Sequence, residues 1–424
     1  MRSTSLKFLL FDGSFQTTPF INRLVAGLAT RHEVFILGFN EKLSERIQGV
    51  LYVPLGSNQN KFRFAMTSLK YALQSGSLKK IGTTLNHLFK GDKQKLQQQN
   101  LDFAIHTISP DVIHLQWPSV IPWFEEVLQE QKIPVVLSQR GFHINVRPFV
   151  DSENFDYLQT WYPKIAGFHS VSKAIAANGD KIYKSPNKID HVVYTGFDFK
   201  DLSFSQEYQR TTPLQILSVG RSHWIKGYDY ALRACALLKA QGVRFQYHII
   251  GGAGVEELQF LIADLGLEDC VFLEDRISQK AVYQRMQKAS LLLMPSIEEG
   301  LPNVVVEAMA LGLPVLSSDC GGVPELITHD VEGWLFPSRD VVAMAARIFN
   351  FLELSEAEIL KIREAARGKV EEQHAMEKMV MGMEELYMEV RGRKLEGRGL
   401  KDEVGRTRLE GRGGKLEVEG ERMK

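Results

Sequence analysis

Twice along this chain a set of five short apolar runs alternates with longer amphipathic segments, and this doubled pattern restricts the fold more than any other feature. The first set is LKFLLFD (6–12), EVFILGF (33–39), DVIHLQW (111–117), IPVVLSQ (133–139) and GFHSVS (167–172). The second is LQILSVG (214–220), FQYHIIGG (245–252), CVFLED (270–275), SLLLMPS (290–296) and LPVLSSD (313–319). Runs of this length, bounded by turn residues and separated by periodic segments such as 18–31 and 119–131, predict buried parallel strands with helices on both faces. A chain of 424 residues also exceeds one ordinary core. The expected fold is therefore α/β, with two Rossmann-like, doubly wound domains facing each other across a cleft. The first domain is expected over 1–198, a polar linker FKDLSFSQEYQRTTP over 199–213, the second domain over 214–370 and a closing helix over 371–390. Helical segments at 355–368 and 374–390 complete it. Ligands of such sheets bind beyond the carboxyl ends of the strands.

Composition removes several functional classes. Hydrophobic residues make up 44% and charged residues 24%, as in a soluble globular protein. Lysine plus arginine equals aspartate plus glutamate at 51 each, so the charge balance points to no nucleic-acid partner. Cys235, Cys270 and Cys320 match no metal-ligand spacing and fit a reducing compartment. The opening MRSTSLKFLLFDGSF has an apolar run of only four residues, far short of a signal sequence or membrane span. A cytoplasmic protein is expected. From 391 the chain changes character: LEGRG occurs at 395–399 and 409–413, and eleven basic residues stand against seven acidic ones. That tail, 391–424, cannot bury a core and is expected to be disordered.

Two clusters carry chemistry. In PSIEEGLPNVVVEAMALGLPV (295–315), Glu299 and Gly300 lie in the loop beyond a strand, and Pro302 fits the first turn of the next helix. Gly312 and Pro314 mark its stop. The loop then adjoins free N–H groups and the positive end of a helix, a ready site for a diphosphate. Glu307, about a turn into the helix, could accept hydrogen bonds from a ribose diol. The plainer alternative is a solvated Glu299 and a Glu307 that caps a neighbouring helix. In SVGRSHWIKGYDYAL (218–232), Arg221 and Lys226 leave another strand end toward the same cleft and could clamp that diphosphate. Taken singly, each is also readable as a solvated loop charge. GGAG at 251–254 lacks the full dinucleotide fingerprint and reads as a strand-to-helix turn.

With its two glutamates eight apart, EGLPNVVVEAMALGLPV, and GR followed by KG, this half of the chain resembles the retaining family-4 glycosyltransferases of the GT-B fold. LGLEDCVFLEDR (265–276), GGVPELI (321–327), GWLF (333–336), SVSKAIA (170–176) and TGFD (195–198) follow in order. The resemblance covers nearly all of 200–390, the first domain loosely and the tail not at all. It implies that Arg221 and Lys226 hold the donor diphosphate and Glu307 the ribose. Glu299, with the backbone at Gly300, Leu301 and Asn303, would meet the sugar, and Arg276 would lie near the base. Gly13 matches the glycine loop after the first strand, without the usual second glycine. SQRGFHINVRPF (138–149) departs from the His-Gly pair of many relatives, and Arg140 and His143 stand as candidates for the reacting centre. His114 and His169 fall in expected strands and read as core histidines.

One further segment, Lys61 to Gly91, holds six basic residues and no acidic one, with Phe62, Phe64, Tyr71 and Phe89 interleaved. It reads either as a solvated face over a packed one or as a basic amphipathic surface for an anionic membrane, peripheral on the inner face of the plasma membrane. The resemblance implies a hexosyltransferase-type enzyme that takes a sugar from a nucleotide-diphosphate sugar to a glycan or lipid-linked glycan with retention. Cell-surface polysaccharide biosynthesis is the expected setting, with no cofactor or metal. A nucleotide-sugar epimerase of the same fold and a silent nucleotide-sugar-binding protein are the rivals.

Overall fold

The computed structural model describes residues 5–208 and 210–410, apart from the side chains of 395–410. Thirteen strands among the described residues form two parallel sheets. The first contains β1 (Lys7–Ser14), β2 (Glu33–Asn40), β3 (Val50–Pro54), β4 (Val112–Leu115), β5 (Val135–Gln139), β6 (Gly167–Ser170) and β7 (Asp190–Val192), in the order β3-β2-β1-β4-β5-β6-β7. The second contains β8 (Leu214–Val219), β9 (Phe245–Ile250), β10 (Val271–Glu274), β11 (Leu291–Met294), β12 (Val315–Ser318) and β13 (Trp334–Phe336), in the order β10-β9-β8-β11-β12-β13. Each expected apolar run is a strand, and every central strand is buried on both faces. Leu9 and Phe11 of β1 join one core with Ile113, Leu115 and Phe124. Phe8 and Leu10 point the other way, into a core with Ile21, Val25, Met383 and Tyr387. That alternation is the two-residue period of a strand covered by helices on either side.

The chain crosses between the domains twice, at one place. Phe197 N–H donates to His374 O at 2.8 Å, and Met376 N–H donates to Phe197 O at 3.1 Å. Past this junction the helix Met376–Glu410 leaves the second domain and packs on the helix Pro19–Leu28 and on β6 and β7 of the first. It also corrects the expected disordered tail, because residues 391–410 continue this helix. The argument from composition asked whether the tail could bury a core. A helix that propagates from a docked start needs none, and Leu, Lys, Arg and Glu propagate it well. Arg391 Nε anchors it to Asp111 Oδ1 at 3.1 Å. Residues 411–424 lie outside the described residues. No helix among the described residues is long and apolar enough to cross a membrane.

Candidate active site

In each sheet the strand order reverses between two neighbouring strands whose connections run to opposite faces, which opens a crevice at their carboxyl ends. In the second sheet these are β8 and β11. Arg221 follows β8, and Lys226 ends a single turn of 3-10 helix, Trp224–Lys226. Glu299 and Gly300 follow β11 and precede the helix Asn303–Leu311. Ile297 N–H donates to Ile225 O at 2.7 Å and joins the two loops. Pro302 is the residue before the helix rather than in its first turn, with φ −78° and ψ 108°. Gly312 ends the helix at φ +77°, as its position suggested. Lys226 Nζ is not free in the cleft: it lies 2.6 Å from Glu299 Oε1, which also accepts from Ser296 Oγ at 2.7 Å. Opposite charges on adjoining loops, both largely withdrawn from water, attract strongly enough to pair.

In the first sheet the reversal lies between β1 and β4. Asp12, near the end of β1, accepts from Trp117 Nε1 at 2.6 Å. Burial pushes its carboxyl up to about 6, against the pull of Trp117 and Arg140. Arg140 follows β5, is 8% exposed and lies 4.2 Å over the Phe20 ring. Burial pulls its guanidinium down to about 9, so it remains a cation at neutral pH. His143 lies beside Trp117, with ring centres 5.8 Å apart. Burial, then Arg147, holds its imidazole below the usual value. A neutral ring at pH 7 follows.

These halves meet. A cleft of about 880 Å³ is lined by Arg140, His143, Arg221, Glu299, Gly300, Leu301 and Asn303 together, so seven of the expected residues share one cavity. Asp12, Trp117, Ser222 and His223 also line it. Arg140 Nε, Asn303 Oδ1 and Ser222 Oγ are buried without a hydrogen-bond partner among the described residues. Buried polar atoms are seldom left so, and three around one cavity fit a polar guest. The domains approach closely here: a Cβ on Gly300 would lie 2.9 Å from Gly141 N. Asn145 Nδ2 donates to Glu298 Oε1 at 2.7 Å and to Glu299 O at 3.1 Å. Glu325 of the second domain caps a first-domain helix, accepting from Lys173 N and Ala174 N at 2.9 and 3.0 Å and from Tyr194 OH at 2.9 Å.

Three expected residues lie elsewhere. Glu307 sits behind the cleft wall, 8% exposed, with Tyr283 OH at 3.4 Å. Burial pushes its carboxyl up to about 7, opposed chiefly by the attraction of Arg23 from the first domain. It caps no neighbouring helix. Gly13 adopts φ +78° at a bulge in β1, with open space where a Cβ would project. Arg276 is exposed beyond β10, an edge strand, and does not line the cleft. His114 and His169 are core residues, and their bonding is specific. His169 Nε2 must donate to Val193 O, at 2.9 Å, so its Nδ1 accepts from Ser138 Oγ at 2.8 Å. Ser138 Oγ in turn accepts from His114 Nε2 at 2.8 Å and Arg140 NH2 at 3.2 Å, and Tyr387 OH donates to His114 Nδ1 at 2.7 Å. Burial holds both imidazoles neutral. Asp12 was visible as the charge that ends the first apolar run. Asn145 and Glu325 fall in segments that the sequence marked, but their role in joining the domains was not visible, since their partners lie 131 to 154 residues away.

Residues 199–369 match the family described as Glycosyl transferases group 1. The amylovoran biosynthesis glycosyltransferase AmsK of Erwinia amylovora is 45% identical over 166 residues, 38% of this chain and 40% of that protein. The putative colanic acid biosynthesis glycosyltransferase WcaL of Escherichia coli is 40% identical over 167 residues, 38% of this chain and 41% of that protein. The aligned region thus spans about two fifths of these relatives. Among solved structures, Anabaena HepE in complex with UDP and glucose superposes with a TM-score of 0.67 at 17% identity, covering 90% of this chain and 98% of that one. Sucrose-phosphate synthase from Thermosynechococcus elongatus gives 0.70 at 15% identity, covering 91% and 99%. Both likenesses are of fold.

Proposed function

With residues 199–369 a glycosyl transferases group 1 domain set in a GT-B architecture, we propose that this chain is a hexosyltransferase. It moves a sugar from a nucleotide-diphosphate sugar to a hydroxyl of a glycan or lipid-linked glycan, with retention of configuration, in the assembly of a cell-surface polysaccharide. The observation that carries this reading is the convergence of Arg140, Arg221 and Glu299 on one cleft, at the start of the helix Asn303–Leu311, with Lys226 paired to Glu299 outside the cleft lining. Such an arrangement favours a guest whose negative charge grows during reaction. Relatives named for amylovoran and colanic acid biosynthesis support the setting.

In the proposed course the acceptor hydroxyl attacks the anomeric carbon from the face that the diphosphate leaves. The new C–O bond forms as the glycosidic C–O bond breaks, and the hydroxyl proton passes to the departing phosphate oxygen. Arg221 and Lys226 take up the charge on that phosphate. When Lys226 turns to it, Glu299 is released to accept from the sugar hydroxyls. Arg140 supplies a fixed cation from the opposite wall, and His143, neutral, can accept or donate one hydrogen bond. No resident metal or cofactor takes part.

A thermal-shift screen of nucleotide sugars tests this reading, since a ligand at about 100 times its Kd adds about 2.7 kcal/mol of stability. Acceptor-dependent consumption of the selected donor, unaffected by a chelator, is expected. Conversion of donor without acceptor would mark an epimerase, and binding without turnover a silent binding protein.

A further inference from the structure

The helices Lys61–Gln74 and Leu78–Lys90 carry apolar side chains where packing does not call for them. The first buries Phe64, Ser68, Tyr71 and Ala72 against the domain. Its opposite face presents Phe62, 76% exposed, with Met66 and Leu73. Those positions are four and eleven residues apart, one stripe of a helix. In the second helix Leu78, Leu85 and Phe89, the last 93% exposed, repeat such a stripe at spacings of seven and eleven. Only Thr84 of that helix is buried, held by Gln99 Nε2 at 2.6 Å. Six large apolar side chains in water on one helical hairpin exceed the scattered singles that a solvated surface carries.

The charges flanking these stripes have one sign. Lys61, Arg63, Lys70, Lys79, Lys80 and Lys90 occur without a single acidic residue between 61 and 91, in a chain whose charges balance as a whole. Among the described residues, only Arg63 of the six has an ion pair, with Glu41 at 2.8 Å. The hairpin begins in the loop after β3, at the carboxyl end of the first sheet where the cleft opens.

We propose that the hairpin 61–90 docks this chain on an anionic lipid bilayer, with Phe62, Met66, Leu73, Leu78, Leu85 and Phe89 entering the interface and the lysines lying among the head groups. An apolar stripe flanked by lysines is what such a surface takes, since each contact removes apolar area from water while each cation gains from the surface potential. The rim of the cleft then lies next to the bilayer. This inference stands independently of the reaction, because its readout is binding.

The test is cosedimentation of the full chain with vesicles of phosphatidylglycerol and phosphatidylcholine, against phosphatidylcholine alone. The expected result is binding to the anionic vesicles that weakens with salt. F62S/F89S should lose about tenfold or more in affinity, and K79E/K80E about tenfold or more on anionic vesicles only. The exposed positions should leave Tm unchanged, which a melt of each variant checks. No vesicle binding by the parent chain, or equal binding by parent and variants, would overturn the proposal. So would self-association of the parent chain, abolished by F62S/F89S, in place of vesicle binding.

Discussion

Glu307 illustrates how one side chain in an apolar helix can be tuned for use. Val305, Val306, Ala308 and Met309 surround it in sequence and are fully buried, so the carboxylate is held by the field of Arg23 and by the side chains of Gln279 and Tyr283. Its proton is therefore lost around pH 7 rather than in the ordinary acid range. The resemblance implies a ribose diol as the partner of Glu307, and the ionised form is its better acceptor, so affinity for a nucleoside diphosphate should rise between pH 6 and pH 8. Glu307→Gln should remove that rise and weaken binding about tenfold at pH 8, a charged hydrogen bond being worth about 1.5–3 kcal/mol. Calorimetric titration with uridine diphosphate checks this, and an unchanged pH dependence in the variant would sink it. The sign for folding is opposite. The folded carboxyl binds its proton more tightly than the unfolded one, so its contribution to stability is present at low pH and lost as pH rises through about 7. The places of Glu299 and Arg221 beside the cleft were legible in the sequence because strand, loop and helix follow one another closely, whereas Glu307 was expected in the cleft and lies behind its wall. Arg23 was not legible, because it reaches Glu307 from another domain.

At the end of β5 two residues have different duties: Ser138, within the strand, faces the core, and Arg140, just past it, faces the cleft. The chain of bonds from Tyr387 through His114, Ser138 and His169 to Val193 O satisfies each hydrogen only when both imidazoles are neutral. Ser138→Ala would leave His169 Nδ1 without its donor and deprive His114 and Arg140 of an acceptor. The expected cost is about 3 kcal/mol, read as a lower Tm. With it should come a loss in kcat at nearly unchanged donor affinity, because Arg140 loses its support while the second domain keeps its site. An unchanged kcat would show that Arg140 needs no such support. Acid should attack the same element. The unfolded imidazole of residue 169 takes a proton near 6.5, the folded one only near 3, so stability falls as pH drops through that window. At this scale the central strands and the edge strand β10 were legible, and the edges β3, β7 and β13 were not. Strands β3, β7 and β13 are edge strands of three to five residues. An edge strand is covered less and so needs no continuous apolar run.

Two domains face each other across the cleft, and polar contacts join them beside Leu301, which packs against the first-domain core. Glu325 holds Lys173 N, Ala174 N and Tyr194 OH, while Asn145 holds Glu298 and Glu299 O. Glu325→Ala should open the molecule, seen as a larger radius in small-angle scattering and as a raised KM for the donor. An unaltered radius and KM would show that the Phe197–His374 junction alone sets the arrangement. The proposed reaction requires this cleft to stabilise charge on a departing diphosphate, and Lys226 is where that role is most open to test. Lys226 pairs with Glu299 at 2.6 Å in the structure, so it can be read either as part of that pair or as a partner of the leaving group. Steady-state kinetics of Lys226→Ala with the donor found by the screen separates the two. The account predicts that kcat falls ~100-fold or more while KM changes little, the loss of an interaction made only in the transition state. A near-normal kcat with a raised KM would contradict it.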